Sequence, residues 1–381
     1  MLRRIFVPAV LSCALCGAAA AQSFTTFASG LINPAKIVTG PNGTLLVSEA
    51  GTAANSGRVS LLDSAGNRRT LIDGLPAGAS PPNGDADGPN GLALQGRTLY
   101  IEIGEGDTHV NGPQQGQIVP NPNGPSSPLF DTIVSVSFSN DPDLLVSGFS
   151  LTPRNQFTLL DGTPVTLSNS SGDTASLQLV TAFRPDIPDP QTIYRNSHPY
   201  GLGMLPSRPD VLYVADAGMN TVVQVNIATG HSQLVTRFAN GKSPLPAGKP
   251  FIEAVPTSIR AYGDSLLVSL LSGAPFVPGQ SRIMAVDPAT GNSSVFIAEL
   301  SSATDVLYRQ KADGTSQWLV LQYSKQLLAG APGNLLSYTS AQGQVLTDNI
   351  PSPTSMTLDA GGNLYITDRA NGKVLLVHVG P

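Results

Sequence analysis

The sequence predicts an all-β protein, a six-bladed β-propeller of four-stranded antiparallel blades in which an N-terminal strand closes the last blade. Three observations predict it: a short phrase that recurs six times, a fixed order of apolar segments after each copy, and a composition rich in turn-forming residues. The copies begin at Pro34, Pro89, Pro199, Pro256, Ala303 and Pro353, in steps of 55, 110, 57, 47 and 50 residues. A repeat of this length is typical of propellers and related repeat architectures.

Each phrase predicts the first strand of a blade, because three further segments follow it in the same order. They are short, rich in β-branched and aromatic residues, and bounded by glycine and asparagine, as strands and their turns are. The predicted second strands are 45–49, 99–103, 212–216, 266–270, 318–322 and 364–368, the third strands are 58–62, 132–136, 221–225, 282–286, 334–338 and 373–377, and the fourth strands are 70–72, 177–180, 233–236, 295–297 and 345–347. Four antiparallel strands repeated radially form a propeller.

The sixth unit lacks a fourth strand, and the missing strand is found at the other end of the chain. Residues 23–28 (Ser-Phe-Thr-Thr-Phe-Ala) precede the first phrase as a fourth strand would. We expect them to pair with the last blade, since an open sheet edge is prone to aggregation.

The step of 110 residues is twice the usual length. One blade with two inserts, 104–130 and 138–176, explains it, because 132–136 and 177–180 match the third and fourth strands; a seventh blade is the alternative. In the second insert, Phe157-Thr158-Leu159 and Val165-Thr166-Leu167 alternate in polarity and flank Asp161-Gly162-Thr163, which predicts a β-hairpin arm.

The first 21 residues have the features of a secretory signal peptide: Arg3 and Arg4, an apolar run, and a small-residue end before Gln22. A membrane anchor would need a longer apolar run, and a lipoprotein signal before Cys13 is a poorer match. Cys13 and Cys16 both lie in this segment, so we expect a disulfide-free mature domain, 22–381, that is secreted or periplasmic.

Composition and charge limit the kinds of partner that the protein can bind. Only 12% of residues are charged and the formal net charge is −5, while 39 glycines and 32 prolines supply turns. A mildly acidic chain with few Lys and Arg argues against nucleic acid as a partner. No other apolar stretch is long enough to span a membrane, and we expect a monomer.

Long loops are predicted on one face of the propeller, the face at which first strands begin and second strands end. They are 74–88, 104–130, 239–255, 271–280 and 323–332. Long loops on a rigid scaffold commonly carry binding sites; tolerated surface growth is the alternative. We call this the loop-rich face.

The third residue of each phrase should line the central channel: Lys36, Gly91, Gly201, Ser258, Asp305 and Ser355. The lysine and the aspartate could hold a polar ligand or form an ion pair with each other across the channel. Asn90, His198 and Tyr200 lie beside this ring in the sequence. The candidate ligand-binding residues are therefore Lys36, Asn90, His198, Tyr200 and Asp305.

Two further groups of residues could bind a metal ion or take part in catalysis. Asn83, Asp85 and Asp87 place oxygen atoms at alternate positions before a glycine, as the first half of a calcium loop does, but the acidic residue expected later is absent; a polar turn is the alternative. Calcium is the one cofactor that the sequence suggests. Residues 102–109 concentrate three carboxylates and a histidine. His198 and Asp305 are the candidate catalytic residues, His198 as a general base.

Two segments resemble NHL-type propeller repeats, Leu212-Tyr213-Val214-Ala215-Asp216 and Leu364-Tyr365-Ile366-Thr367-Asp368. With 83–91 and the insert running from 127–130 through 148–151 to 165–169, nearly all of 22–381 resembles the ScyD/ScyE family of exported bacterial propellers. This resemblance implies a six-bladed fold and export, but no activity.

Two function classes follow. One is a binding or scaffolding propeller that engages a small molecule, glycan or peptide on its loop-rich face. The other is a metal-dependent lactonase, esterase or lyase of the six-bladed type, whose metal would need a central ring of carboxylate and asparagine ligands. The predicted ring holds one carboxylate, Asp305, and this favours binding.

Overall fold

Six antiparallel sheets surround a central axis, and the first strands of neighbouring sheets contact one another around the ring. The computed structural model describes residues 22–114, 117–183, 186–188, 194–244, 251–359 and 361–379. Across these residues the prediction of an all-β propeller with six blades is confirmed. The predicted signal peptide lies outside the described residues.

Each blade contains four strands in antiparallel order. Blade 1 comprises Pro34–Thr39, Leu45–Glu49, Gly57–Leu62 and Arg68–Leu75. Blade 2 comprises Pro89–Gln95, Thr98–Ile103, Thr132–Phe138 and Thr174–Ala182. Blade 3 comprises Pro199–Leu205, Arg208–Asp216, Thr221–Asn226 and Ser232–Arg237. Blade 4 comprises Pro256–Tyr262, Ser265–Leu270, Ser281–Val286 and Ser293–Leu300. Blade 5 comprises Ala303–Gln310, Ser316–Gln322, Gly333–Tyr338 and Gln344–Ile350. Blade 6 comprises Pro353–Leu358, Asn363–Asp368, Lys373–His378 and, from the N-terminus, Phe24–Ser29.

Short hairpins elaborate the loop-rich face, all of them between second and third strands or between blades. They are Gly78–Ser80 with Asp85–Asp87, His109–Asn111 with Ile118–Pro120, Asp186–Pro188 with Tyr194–Asn196, and Gly241–Lys242 with Phe251–Ile252. Short 3₁₀ helices occupy Pro41–Gly43 and Leu327–Ala329.

The second insert of blade 2 differs from its prediction. Pro153–Leu160 is an α-helix, so the expected hairpin is wrong in its first half. Thr152 caps the helix by accepting from the Asn155 N–H, and Pro153 supplies the backbone angle of the first turn. The alternation of polarity over Phe157-Thr158-Leu159 is too short to specify a strand, and the helix start signal at Thr152 and Pro153 outweighs it. Val165–Ser168 is a strand and pairs with the outer strand of blade 2, while Phe149–Ser150 pairs with that of blade 1.

The core lies between blades, because each strand alternates its side chains between two neighbours. In the second strand of blade 1, Leu46 packs with Leu92 and Ile101 of blade 2. Its sequence neighbours Leu45 and Val47 face the other way, toward blade 6. Complete burial of such a side chain stabilises the fold by about 1.5–3 kcal/mol.

The N-terminal strand closes the ring as predicted. Phe24–Ser29 pairs antiparallel with Lys373–His378, in a register that places Phe24 opposite Val377. The Phe27 ring meets Tyr365 edge-on with centroids 4.8 Å apart, and Ala28 is buried. The outer strand of the last blade is therefore supplied by the N-terminal segment of the chain.

Deletion of residues 23–28 is expected to lower the melting temperature by about 5–10 °C, because two half-buried phenylalanines and a row of sheet hydrogen bonds are lost. Differential scanning calorimetry measures the effect. Thr25 and Thr26 are exposed, so the Thr25→Ala/Thr26→Ala variant is the control and should melt within about 2 °C of wild type. An unchanged melting temperature after deletion would show that the strand does not hold the ring closed.

Candidate functional site

All six residues predicted to line the channel do line it: Lys36, Gly91, Gly201, Ser258, Asp305 and Ser355. The space that they leave on the axis is about 20 Å³, enough for about one water molecule. The sequence repeat therefore locates the axis correctly, and side chains nearly fill it.

Lys36 crosses the channel. Its Nζ donates a 2.6 Å hydrogen bond to the Thr257 carbonyl oxygen and lies 4.5 Å from the centre of the Tyr200 ring. Thr257 belongs to blade 4, which stands opposite blade 1 in a ring of six. Burial lowers the pKa of Lys36 to about 8, although the negative charge of Asp305 opposes the shift. One ammonium thus links opposite sides of the propeller.

Asp305 binds Arg260, and the ion pair with Lys36 that the sequence left open is not formed. The guanidinium makes two hydrogen bonds to the carboxylate, at 2.9 Å from Nε and 2.5 Å from Nη2. Ser355 Oγ and the Met356 N–H also donate to it, at 3.1 and 3.0 Å. Burial works to raise the pKa of Asp305, but the Arg260 charge and its hydrogen bonds outweigh burial and lower it.

This coordination makes Asp305 a structural residue. Its oxygens accept five hydrogen bonds, the fifth from the Val306 N–H at 2.9 Å, so the carboxylate has little capacity left for a substrate or metal. Arg260 escaped the sequence analysis because it lies two residues beyond the ring position, and its reach toward Asp305 depends on the packing of blade 4 against blade 5.

A second cluster lies between blades 2 and 3 at the mouth of the channel on the loop-rich face. His198 directly precedes the first strand of blade 3, Asp87 ends a short hairpin, and Glu105 follows the second strand of blade 2. His198 Nε2 lies 3.5 Å from Asp87 Oδ2, and Nδ1 lies 3.3 Å from Glu105 Oε1. The His198 side chain keeps 24% exposure, against 5% for each carboxylate. We call these three residues the mouth cluster.

Backbone and side-chain contacts fix the mouth cluster in place. The His198 N–H donates to Asp216 Oδ1 at 3.0 Å. Asp87 accepts from Asn90 Nδ2 and from the Gly106 N–H, both at 2.8 Å. The His198 ring stands edge-on to Tyr200 at 5.8 Å. Through Tyr200 the mouth cluster is therefore continuous with Lys36.

Electrostatics make His198 a cation. Burial works to lower its pKa, but the charges of Glu105 and Asp87 outweigh burial and raise the pKa to about 10. The imidazole is consequently protonated at neutral pH and cannot accept a proton as a general base. The same pairing lowers the pKa of Asp87 against its burial, whereas burial dominates at Glu105 and raises the pKa of that carboxyl.

Two further acidic groups lie behind the mouth cluster. Burial raises the pKa of Glu102 to about 8 and that of Asp131 well above its ordinary value. Glu102 accepts from the Gly91 N–H at 3.0 Å. Within the described part of the chain, Glu102 Oε1 and Asp131 Oδ1 are buried without a hydrogen-bond partner. At neutral pH, Glu102 is therefore mostly a neutral acid.

The sequence predicts part of this region. Within the predicted segment 102–109, Glu102 and Glu105 turn inward, but Asp107 accepts from the Ser126 N–H at 2.9 Å and holds the loop. Asp131 was missed because a single aspartate before a strand carries no distinguishing pattern. Of the candidate ligand-binding residues, the structure places Asn90 and His198 against Asp87. Tyr200 lies between His198 and Lys36, and Asp305 lies against Arg260.

The proposed calcium loop folds as a hairpin. Asp85 is exposed, while Asp87 is buried and faces His198. In the described part of the chain, no group of three or more Asp, Glu, His or Cys side chains is placed to hold a metal ion. The surroundings of Asp87 do not suit calcium binding, because its carboxylate already faces the His198 imidazolium and accepts hydrogen bonds from two N–H groups. Calcium binding by Asn83, Asp85 and Asp87 stays a prediction.

Comparison with known proteins finds only distant structural similarity. No family model and no curated protein matches the sequence. A chain of a nidogen/laminin complex is 12% identical with a TM-score of 0.47, covering 88% of this chain and 89% of that one. A streptogramin B lyase is 13% identical with a TM-score of 0.46, covering 94% and 97%. A virginiamycin B lyase from Staphylococcus aureus is 13% identical with a TM-score of 0.43, covering 91% and 95%. At this distance the similarity carries no argument about activity.

Among the described residues, no helix has the length and apolarity needed to cross a membrane.

Raising the pH from about 6.5 to about 8 is expected to destabilise the protein. In this window the folded state keeps protons on His198, with its pKa near 10 against an ordinary 6.5, and on Glu102, with its pKa near 8 against 4.5. The unfolded chain releases those protons, so rising pH favours unfolding. Lys36 has the opposite sign, but its window lies mainly above pH 8. Melting temperatures across this range measure the slope.

The His198→Gln variant should show a shallower dependence of stability on pH. His231 is exposed on a turn of the same blade at the opposite face, and His231→Gln should keep the wild-type slope. Equal slopes for all three proteins would contradict a cationic, stabilising His198.

Removing the Asp305 carboxylate is expected to cost about 3 kcal/mol of unfolding free energy, because Arg260 is left without its partner. Urea denaturation of Asp305→Ala measures the loss, and Arg260→Met/Asp305→Leu should recover most of it. Asp210→Ala is the control, since the Arg208–Asp210 pair is exposed and should cost less than about 1 kcal/mol. Equal losses for the two aspartates would refute the structural role of Asp305.

Proposed function

We propose that the protein is an exported ligand-binding propeller of the ScyD/ScyE type, which engages a small molecule, glycan or peptide at the channel mouth on its loop-rich face. The observation that carries the proposal is the continuous contact of His198, Tyr200 and Lys36 at this mouth. It joins a partly exposed imidazolium to an aromatic ring and an ammonium. Such a surface suits a ligand that offers hydrogen-bond acceptors and a flat face.

The size of the axial space supports binding at the mouth and not within the channel. About 20 Å³ admits no substrate, and Lys36 already spans the axis to Thr257. A ligand must therefore approach from the surface, where the hairpin loops of blades 2 and 3 surround His198.

The charges of the mouth cluster support a binding role over a catalytic one. His198 is held as a cation by Asp87 and Glu105, so a ligand meets a fixed positive group and not a base. The enzymatic alternative, a metal-dependent lactonase, esterase or lyase, would draw on Asp305, and this carboxylate is held by Arg260. Export is supported by the composition of residues 1–21.

A thermal-shift screen tests the proposal with oligosaccharides, short peptides and small organic acids as probes. Saturating a specific ligand at about 100 times its Kd should stabilise the wild type by about 2.7 kcal/mol. His198→Gln should weaken a true mouth ligand about tenfold by removing a charged donor, and His231→Gln on the opposite face should not. Hits that bind both variants as tightly as wild type would refute a mouth site. Hydrolysis of lactones or esters that is lost in His198→Gln would favour the enzymatic alternative.

A further inference from the structure

A second cavity lies between blades 3 and 4, away from the channel mouth. It measures about 250 Å³ and opens beside the hairpin formed by Gly241–Lys242 and Phe251–Ile252. An engineered cavity of about 150 Å³ is known to bind benzene, so this one has room for a ring and a polar substituent. None of its lining residues belongs to the mouth cluster.

The cavity is lined by apolar and by cationic side chains. Phe238, Leu270 and Met284 are apolar, and Arg237 and Arg282 are cationic. Within the described ranges neither guanidinium takes part in a hydrogen bond or an ion pair. Glu253, the acidic residue on the wall, is engaged in another contact. Unpaired guanidinium groups at an apolar pocket complement a carboxylate, which they can bind through paired hydrogen bonds.

Ser272 adds an independent signal. The residue lines the same cavity and is only 3% exposed, and its Oγ is buried without a hydrogen-bond partner among the residues that the structure describes. Ser272 also has a backbone φ of +69°, a left-handed conformation that is uncommon for residues other than glycine. Buried hydroxyl groups nearly always have a partner, and strained backbone concentrates at ligand sites. Both features indicate that the partner of this hydroxyl is a ligand.

From these observations we infer that the cavity between blades 3 and 4 binds a small organic acid. Its carboxylate pairs with Arg282 and Arg237, its apolar body lies on Phe238, Leu270 and Met284, and the Ser272 hydroxyl donates to one of its oxygens. Recognition of a carboxylate at an apolar pocket requires both parts of the ligand, so a neutral molecule of the same shape binds less well.

Isothermal titration of the full mature chain with benzoate, phenylacetate and hexanoate tests the inference, with benzamide as the neutral counterpart of benzoate. At least one acid should bind saturably, and benzamide should bind about tenfold more weakly than benzoate if benzoate is that acid. Arg282→Gln should weaken the acid about tenfold. Arg208→Gln should leave binding unchanged, because this exposed arginine at the start of the second strand of blade 3 does not line the cavity.

Ser272→Ala separates a ligand contact from a structural role. The hydroxyl has no protein partner, so its loss should leave the melting temperature unchanged while weakening the acid about fivefold. Should Arg282→Gln misfold, Arg237→Gln on an exposed side chain replaces it. His198→Gln should bind the acid as wild type does, which distinguishes this cavity from the channel mouth. The inference would be overturned if none of the three acids bound saturably, or if the arginine substitutions left the Kd of the acid unchanged.

Discussion

Closure of the ring is the constraint on which the remaining structure depends. Six sheets that stack face to face bury their apolar faces only if the sixth returns to the first, and blade 6 can complete its sheet only with Phe24–Ser29. The pairing of this strand with Lys373–His378 joins the two ends of the chain. A closed ring in turn sets the distance between opposite blades, and that distance is what lets Lys36 of blade 1 reach Thr257 of blade 4.

The same closure explains why the sequence predicted the fold so well. Every blade must present its first strand to the axis in one register, and the repeated phrase records that register. Its third residue therefore identified all six side chains around the channel, Lys36 and Asp305 among them. The edge strand 23–28 was predictable for the same reason, because a repeat with one strand missing at its end requires that strand from elsewhere.

The parts that escaped prediction depend on contacts that no repeat encodes. Arg260 reaches Asp305 across a blade boundary, so its role follows from side-chain packing and not from its position in the phrase. Asp131 lies in the mouth region because its backbone is hydrogen-bonded to Gly104 and Phe183, which are distant from it in sequence. The helix Pro153–Leu160 lies in an insert without a counterpart in the other blades, and its start signal at Thr152 and Pro153 outweighed a three-residue alternation.

Charge compensation divides the molecule into two kinds of polar region. At the centre, charged groups are matched: Asp305 by Arg260, and His198 by Asp87 and Glu105, while Glu102 sheds its charge through a raised pKa. For the proposed ligand at the channel mouth, His198 is a positive group whose charge Asp87 and Glu105 already compensate, which favours hydrogen bonding and ring stacking over simple ion pairing. Between blades 3 and 4, the guanidinium groups of Arg237 and Arg282 and the Ser272 hydroxyl have no hydrogen-bond partner within the described residues, while Glu253 on the same wall is engaged in another contact. An anion is the ligand that we propose for this second region, and the two proposed sites should differ in the chemistry they select.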